Sequence, residues 1–285
     1  IIASELVPGN IGKVDNKGFE LEANWNDNKG SFDYFMNANY SFARNKIVYK
    51  AEPSHRYPWM DETGFSVGQY RSYRNEGFYD TEEELANRPY YLIGGNSLQG
   101  GDLISVDING DGIINTSDIV PTGFNDLPEV FFGLSAGCSY KGFDMSVLFQ
   151  GASNFYTRVT GPSAWAFNNG MAATLARHLE RWNEERLETG LPISEPRLMQ
   201  DGGEGVNTKE MGFYLRDRTY LRLRNAEIGY RYTFTKNLGV EYIRFYINGV
   251  NLYTWSKMGD FDPETPNSVI YPIMRTFNLG ASVQF

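Results

Sequence analysis

Seven stretches of the chain alternate apolar and polar residues with a period of two, which sends successive side chains to opposite faces of an extended strand. In residues 18–26, Phe19, Leu21, Ala23 and Trp25 stand against Glu20, Glu22, Asn24 and Asn26. In residues 31–43, Phe32, Tyr34, Met36, Ala38, Tyr40 and Phe42 oppose Asp33, Asn37, Asn39 and Ser41. Residues 129–140 set Val130, Phe132, Leu134, Ala136, Cys138 and Tyr140 against small or polar partners, and residues 143–150 continue after Lys141-Gly142 with Phe143, Met145, Val147 and Phe149; Leu148 is the exception. Residues 226–234 carry Ala226, Ile228, Tyr230, Tyr232 and Phe234 on one face, while Arg222 and Arg224 upstream break the parity and predict a bulge or an exit from the buried zone. Ile243, Phe245 and Ile247, then Phe277, Leu279, Ala281, Val283 and Phe285, complete the set.

The connections are unequal. Residues 26–30 (NDNKG), Lys141-Gly142 and residues 235–239 (TKNLG) are tight, whereas roughly 46–128, 154–213 and 256–272 are long. Short and long connections alternate, so all tight turns fall at one end of the sheet. An extended stretch at residues 68–79 would break that order and is placed inside the first long loop. Strands of this length with one apolar and one small or polar face fit a transmembrane β-barrel. A barrel must close, because backbone groups left unpaired in lipid cost several kcal/mol each. About seven strands are too few and odd in number, so a C-terminal piece of a larger barrel is expected. A soluble antiparallel sandwich shows the same alternation. Aromatic residues near strand ends (Trp25, Tyr40, Tyr140, Phe155, Tyr156, Tyr253, Trp255) favour the membrane, since such rings settle at its interfaces.

Composition narrows the functional classes. Aromatic residues make up 15% and glycines number 30, a β-rich bias. The net charge of −9, with no basic stripe, argues against a nucleic-acid partner. One cysteine, Cys138, allows no internal disulfide, and His55 and His178 are too far apart in sequence to suggest a metal cluster or catalytic pair. Apolar runs fall short of the ~20 residues of a membrane helix. The first ten residues lack the marks of a signal peptide, as expected of an internal or C-terminal piece.

Residues 106–118, VDINGDGIINTSD, carry an oxygen-rich pattern of the kind that wraps a hard cation. Asp107, Asn109 and Asp111 occupy positions 1, 3 and 5, Gly112 position 6, the Ile113 carbonyl position 7, Asn115 position 9 and Asp118 position 12. The expectation is a structural Ca²⁺ ordering a long loop, with affinity on the order of 10⁻⁴ to 10⁻³ M. The competing reading is an Asn-Gly/Asp-Gly turn with no ion. Strand-face carboxylates (Glu20, Glu22, Asp33, Asp144, Glu227) read as the wall of a wet lumen rather than acid–base pairs. Residues 171–190 read as a surface helix stopped by Gly190 and Pro192. Tyr57, Trp59, Tyr70, Tyr73, Tyr90, Tyr91, Trp165 and Phe167 read first as loop packing and second as platforms for sugar rings. No nucleophile–base constellation supports an enzyme.

With strands and loops placed, several motifs resemble one family. Residues 100–123 (GGDLISVDINGDGIINTSDIVPTG), 128–151, 213–230, 246–255, Asp262-Pro263-Glu264 and 271–285, with residues 12–25 upstream, are similar to the C-terminal part of SusC/RagA-type TonB-dependent transporters of the Bacteroidetes outer membrane. The resemblance implies an all-β fold: a C-terminal segment, residues 1–285, of a barrel of about 22 strands with long extracellular loops, a plug domain lying elsewhere in the protein. It implies TonB-dependent import of nutrient oligomers, most often glycans, otherwise peptides, with TonB acting through the N-terminal region and a SusD-like surface lipoprotein over the loops. The terminal Phe285 matches the signal read by barrel-assembly machinery. The alternative is a secreted, calcium-stabilised β-sandwich that binds carbohydrate.

Overall fold

Seven strands form one antiparallel sheet in chain order: β1 (Gly12–Lys29), β2 (Phe32–Lys50), β3 (Val130–Tyr140), β4 (Phe143–Ser153), β5 (Tyr220–Thr233), β6 (Tyr242–Ser256) and β7 (Thr276–Gln284). The computed structural model describes residues 9–168, 173–199, 207, 210–234, 239–259, 261–265, 270–271 and 273–285. The β3–β4 hairpin turns on Lys141 (φ 47°) and Gly142 (φ 87°), both left-handed, which matches the right-handed twist of the flanking strands. A Cβ on Gly142 would lie 2.7 Å from the Arg231 carbonyl, so the turn needs glycine for space as well as for φ.

Cross-strand register converts the alternation into rows. Tyr34, Cys138, Met145, Ile228, Ile247 and Leu279 are successive partners across six strands, and Phe32, Tyr140, Phe143, Tyr230, Phe245 and Ala281 form the next row. On the other face, Phe35, Gly137, Ser146, Glu227, Asn248 and Asn278 line up. The apolar rows are open: Leu279 is 81% exposed and Phe277 69%. From the Phe143 row to the Tyr40–Phe132–Gly151–Leu221–Trp255 row is eight residues along β4, about 26 Å of strand at ~3.3 Å per residue, the scale of an outer-membrane apolar band. Aromatic residues mark both edges of that band.

The parity break at Arg222 and Arg224 is a bulge. Register slips between Leu223 and Asn225 on both sides: against β4 Arg224 is the extra residue, whereas against β6 Arg224 stands opposite the unpaired Asn251 and Leu252. The slip keeps Leu221 and Leu223 on the apolar face and turns Tyr220 and Arg222 to the polar one. The other sheets among the described residues have two strands each, so none could cover the apolar face, and the sandwich alternative fails.

The chain divides into two compact units, a strand unit (17–44, 127–157, 216–285) and a loop unit (1–16, 45–126, 158–215). In the strand unit Phe155, expected in an interfacial belt, is instead buried with Ala152 and Tyr220, its ring edge-on to Tyr220. Asn154 at φ 58° precedes it and changes the direction of the chain there.

In the loop unit, Arg71–Tyr73 pairs with Ile119–Pro121, Asn75–Phe78 with Leu103–Ser105, and Tyr90–Tyr91 runs parallel to Ile113–Ile114. The stretch at residues 68–79 is therefore local loop structure. Tyr73, Tyr91, Leu103, Ile114 and Met211 are buried there. Two loop aromatics thus act as core, and Tyr57 and Trp59 stack on each other at 4.7 Å. The expected helix at 171–190 is not continuous. Its first residues lie outside the described set, and the rest splits into a 3₁₀ turn (Ala176–Glu180) and a short α1 (Glu184–Thr189). Asn183 caps α1 by accepting from the Arg186 amide, and Trp182 leaves the helical path to lie over Gly100 and Gly101, donating its indole N–H to Asp80 at 2.7 Å. Gly190 ends α1 in the left-handed conformation, as its position predicts.

Candidate functional site

The polar face of the sheet is a networked wall. Arg244 on β6 donates from Nε to Asp144 Oδ2 on β4 (3.0 Å) and from Nη2 to Glu227 Oε1 on β5 (2.6 Å). Asn248 donates to the other Glu227 oxygen at 3.2 Å and accepts from Asn278 at 2.8 Å. One guanidinium thus ties three strands together, and both carboxylates have a cationic partner. Glycines make this possible: a Cβ on Gly229 would sit 2.5 Å from the Arg244 guanidinium, so the side chain can lie flat against the sheet only over glycine. Tyr246 covers its cross-strand partner Gly280 in the same way.

At the bulged end of β5, Arg222 is 1% exposed. Its Nη2 meets both Asp262 oxygens at 2.8 and 2.6 Å, and its Nη1 lies 2.7 Å from Glu264. Arg224 bonds the same Glu264 oxygen at 3.0 Å, Tyr220 donates its hydroxyl to the other at 3.2 Å, and Arg218 donates to the Pro263 carbonyl. The Asp262-Pro263-Glu264 motif is thereby the counterpart of an arginine cluster on β5, a relation forty residues apart that periodicity could not reveal.

In the 106–118 loop, the predicted ligands turn their oxygens onto the loop's own amides. Asp107 accepts from Gly110 and Gly112 at 2.8 and 2.7 Å, Asn109 from Asp111, Asp111 from Ile113, and Asn115 from Ser117. Asp118, fully buried, closes the loop by accepting from Ile108 and Asn115, both at 2.9 Å. The Ile113 carbonyl accepts from the Asn115 amide group. Among the described residues, the one group of three acidic or histidine side chains with ligand atoms mutually within 4.8 Å is elsewhere: Glu52, His55 and Asp61.

His55 thus stands beside two acidic side chains, a grouping that the separation of the two histidines in sequence does not suggest. The signal lay in the short spacing from Glu52 to His55 and on to Asp61 around Pro53 and Pro58. Its members already have partners. Glu52 accepts from the Glu62 and Thr63 amides, which hold its carboxyl down at about 2, and His55 Nδ1 pairs with Asp61 at 2.8 Å. His178, the second histidine, is buried in the loop unit beside a recess lined by Trp165, Glu195, Arg197 and Asn207. It accepts from the Leu175 amide through Nδ1, and burial pushes its pKa down, which keeps the ring neutral. Next to it Asp102, fully buried, is held by Arg197 and Asn207 at 2.7 and 2.9 Å.

No protein-family model matches the chain. Among curated proteins it is similar to two TonB-dependent receptors of Formosa agariphila: P3, 26% identical over 97% of this chain and 29% of the relative, and P26, 28% identical over 97% and 30%. Among solved structures it superposes on the RagAB peptide transporter with a TM-score of 0.68 at 17% identity, covering 97% of this chain and 30% of that one; the RagAB importer in its closed-closed state gives 0.64 at 18%. The chain thus spans about three-tenths of the length of the relatives it matches. By sequence the chain is similar to about three-tenths of these TonB-dependent receptors, and by fold to about the same share of the RagAB transporter chain.

Proposed function

We propose that the protein to which this chain belongs imports nutrient oligomers across the outer membrane, with TonB acting through its N-terminal region and a SusD-like surface lipoprotein as partner. The observation that carries the reading is the pair of opposite faces on one sheet: open apolar rows that suit lipid, and a hydrogen-bonded polar wall that suits a water-filled lumen. Glycans and peptides remain the two substrate classes; the peptide transport named for RagAB supports the second. The test is uptake of labelled oligopeptides and oligosaccharides by cells carrying the full-length protein, with and without TonB. Uptake independent of TonB would sink the proposal.

Calcium in the 106–118 loop belongs to the same reading. Asp107, Asn109, Asp111, the Ile113 carbonyl, Asn115 and Asp118 are the proposed ligands, and each carboxylate oxygen that accepts one amide keeps a lone pair for a hard cation. The ion would stiffen the loop and take no part in transport chemistry. Calorimetry on the full-length protein checks it: calcium binding unchanged by both Asp107→Ala and Asp111→Ala would remove the site.

A further inference from the structure

Within the strand unit, Phe132, Gly151, Leu221 and Trp255 are successive cross-strand partners on the apolar face. Gly151 contributes no side chain to that row, and a Cβ there would run into the Phe132 ring. What remains is a groove of about 530 Å³ lined by Phe132, Leu221, Tyr253 and Trp255, with Thr219 and Lys257 at its rim. Tyr253 and Trp255 meet edge-on at 4.7 Å and are each about half exposed. The groove lies at the edge of the apolar band farthest from the tight turns, where β6 ends at Ser256. Short turns are periplasmic in outer-membrane barrels, so this edge meets the outer leaflet. Among the described residues that line the groove, Lys257 alone is charged. Its side chain is 81% exposed, and its Nζ lies 3.3 Å from an oxygen of Asp217, which is much less exposed. The other Asp217 oxygen accepts from the Thr219 amide at 2.8 Å. An ammonium has three donors, so this pairing positions Lys257 and leaves it N–H groups for a second acceptor.

The groove is continuous with the open apolar rows: the Phe149 ring, one hydrogen-bonded step down the sheet, lies 6.4 Å from that of Trp255. On a face that stands in the bilayer, an acyl chain is the occupant that fills such a groove without stranding a polar group. Aromatic rings settle at the headgroup level, and a long lysine carries its ammonium up to that level along its alkyl stem. A cation there attracts an anionic headgroup, whereas a headgroup with no net charge gains little from it. We propose that the groove is a binding site for an outer-leaflet lipid with an anionic, phosphate-bearing headgroup. One acyl chain lies over Phe132 and Leu221 beside Tyr253 and Trp255, and the phosphate accepts from Lys257. The site rests on the membrane-facing reading of the apolar rows, which the import proposal shares, and adds a ligand to it.

The test uses the full-length protein with Trp255 replaced by benzoylphenylalanine, an aromatic photo-crosslinker, in vesicles of equal parts phosphatidylglycerol and phosphatidylcholine with the same acyl chains. Mass spectrometry of the adducts should show the anionic lipid in about fivefold excess at low salt. The excess should shrink at ~0.5 M salt, where the screening length is a few ångströms. Lys257→Gln should bring the two lipids close to parity, and Lys257→Arg should preserve the excess. The position is exposed, so both variants should fold in wild-type yield. The same crosslinker in place of Phe277, which shares the mid-band row of Val147 and Ala226, should capture both lipids equally. Parity at position 255, or an excess indifferent to Lys257→Gln, would overturn the site and leave the import reading untouched. A polypeptide adduct at 255 in cells would overturn it in favour of a protein partner. Absence of lipid adducts at both 255 and 277 would instead remove the membrane-facing reading, and the site with it.

Discussion

Arg222 and Asp262 form a buried ion pair, with Nη2 2.6 Å from one carboxylate oxygen and 2.8 Å from the other, that fastens the connection between β6 and β7 to the bulged end of β5. Arg222 is 1% exposed and Asp262 17%, so removing the cation strands a poorly solvated carboxylate. Arg222→Met is expected to destabilise the strand unit by about 3–5 kcal/mol. Asp262→Asn should cost less, because Glu264 still faces Arg222. Thermal unfolding of the full-length protein in detergent checks the order, and equal losses for the two variants would contradict the shared arrangement.

Face assignment predicts opposite outcomes for the same substitution three residues apart. Leu279→Arg places a charge in the row with Ile228 and Ile247, at a cost of about 2–4 kcal/mol near mid-bilayer. Ser282→Arg lies opposite Arg244 on the polar face and should assemble. Yield of heat-modifiable protein in the outer membrane is the measurement. Comparable yields from both would overturn the assignment.

Two glycines separate backbone crowding from side-chain crowding. A Cβ at Gly151 would meet the Tyr220 carbonyl at 2.5 Å as well as the Phe132 ring, whereas at Gly280 it meets only the Tyr246 ring. Gly151→Ala should cost about 1–3 kcal/mol as an overpacked site, and Gly280→Ala well under that, since Tyr246 can swing away. Denaturant midpoints of the two variants decide it.

Acid should loosen the loop unit at His178. Its pKa lies below the usual 6.5, chiefly through burial, with Arg177 and Arg181 adding repulsion and the Ala164 carbonyl opposing them. The folded state therefore prefers the neutral ring. The stabilisation is present above 6.5 and is lost as pH falls below it toward the folded-state value. Protonation would also take the Nδ1 lone pair from the Leu175 amide. Protection of that amide against hydrogen exchange should fall as the pH is taken below 6.5 toward the folded-state value in the wild type but not in His178→Asn. Protection that rises on acidification would reverse the sign and refute the argument.

The strands, their facing and the tight turns at residues 26–30 and 141–142 were legible in sequence because their causes are local; the turn expected at 235–239 lies mostly outside the described residues. A period of two assigns Phe143, Met145 and Val147 to one face whatever their partners are, and Lys141-Gly142 can turn the chain without help from elsewhere. Even the bulge announced itself, since Arg222 and Arg224 cannot both keep the parity of Ala226 and Ile228. The family resemblance in residues 100–123 and 262–264 was equally a matter of order along the chain.

What the tertiary structure alone decided is long-range. Arg222 finds Asp262 forty residues away, and Arg244 finds Asp144 a hundred residues away. The segment at 171–190 satisfies a helical pattern, yet Trp182 leaves the helical path and lies against Gly100 and Gly101. Phe155 carries the aromatic signature of an interface but turns inward against Tyr220. The loop at 106–118 has an oxygen at each required position, and only folding determines that those oxygens bond the loop's own amides. Sequence fixes periodicity, turn chemistry and charge because each belongs to neighbouring residues. Which carboxylate meets which guanidinium, and which charges end up outside, depends on register and on loops that pack only once the strands have paired.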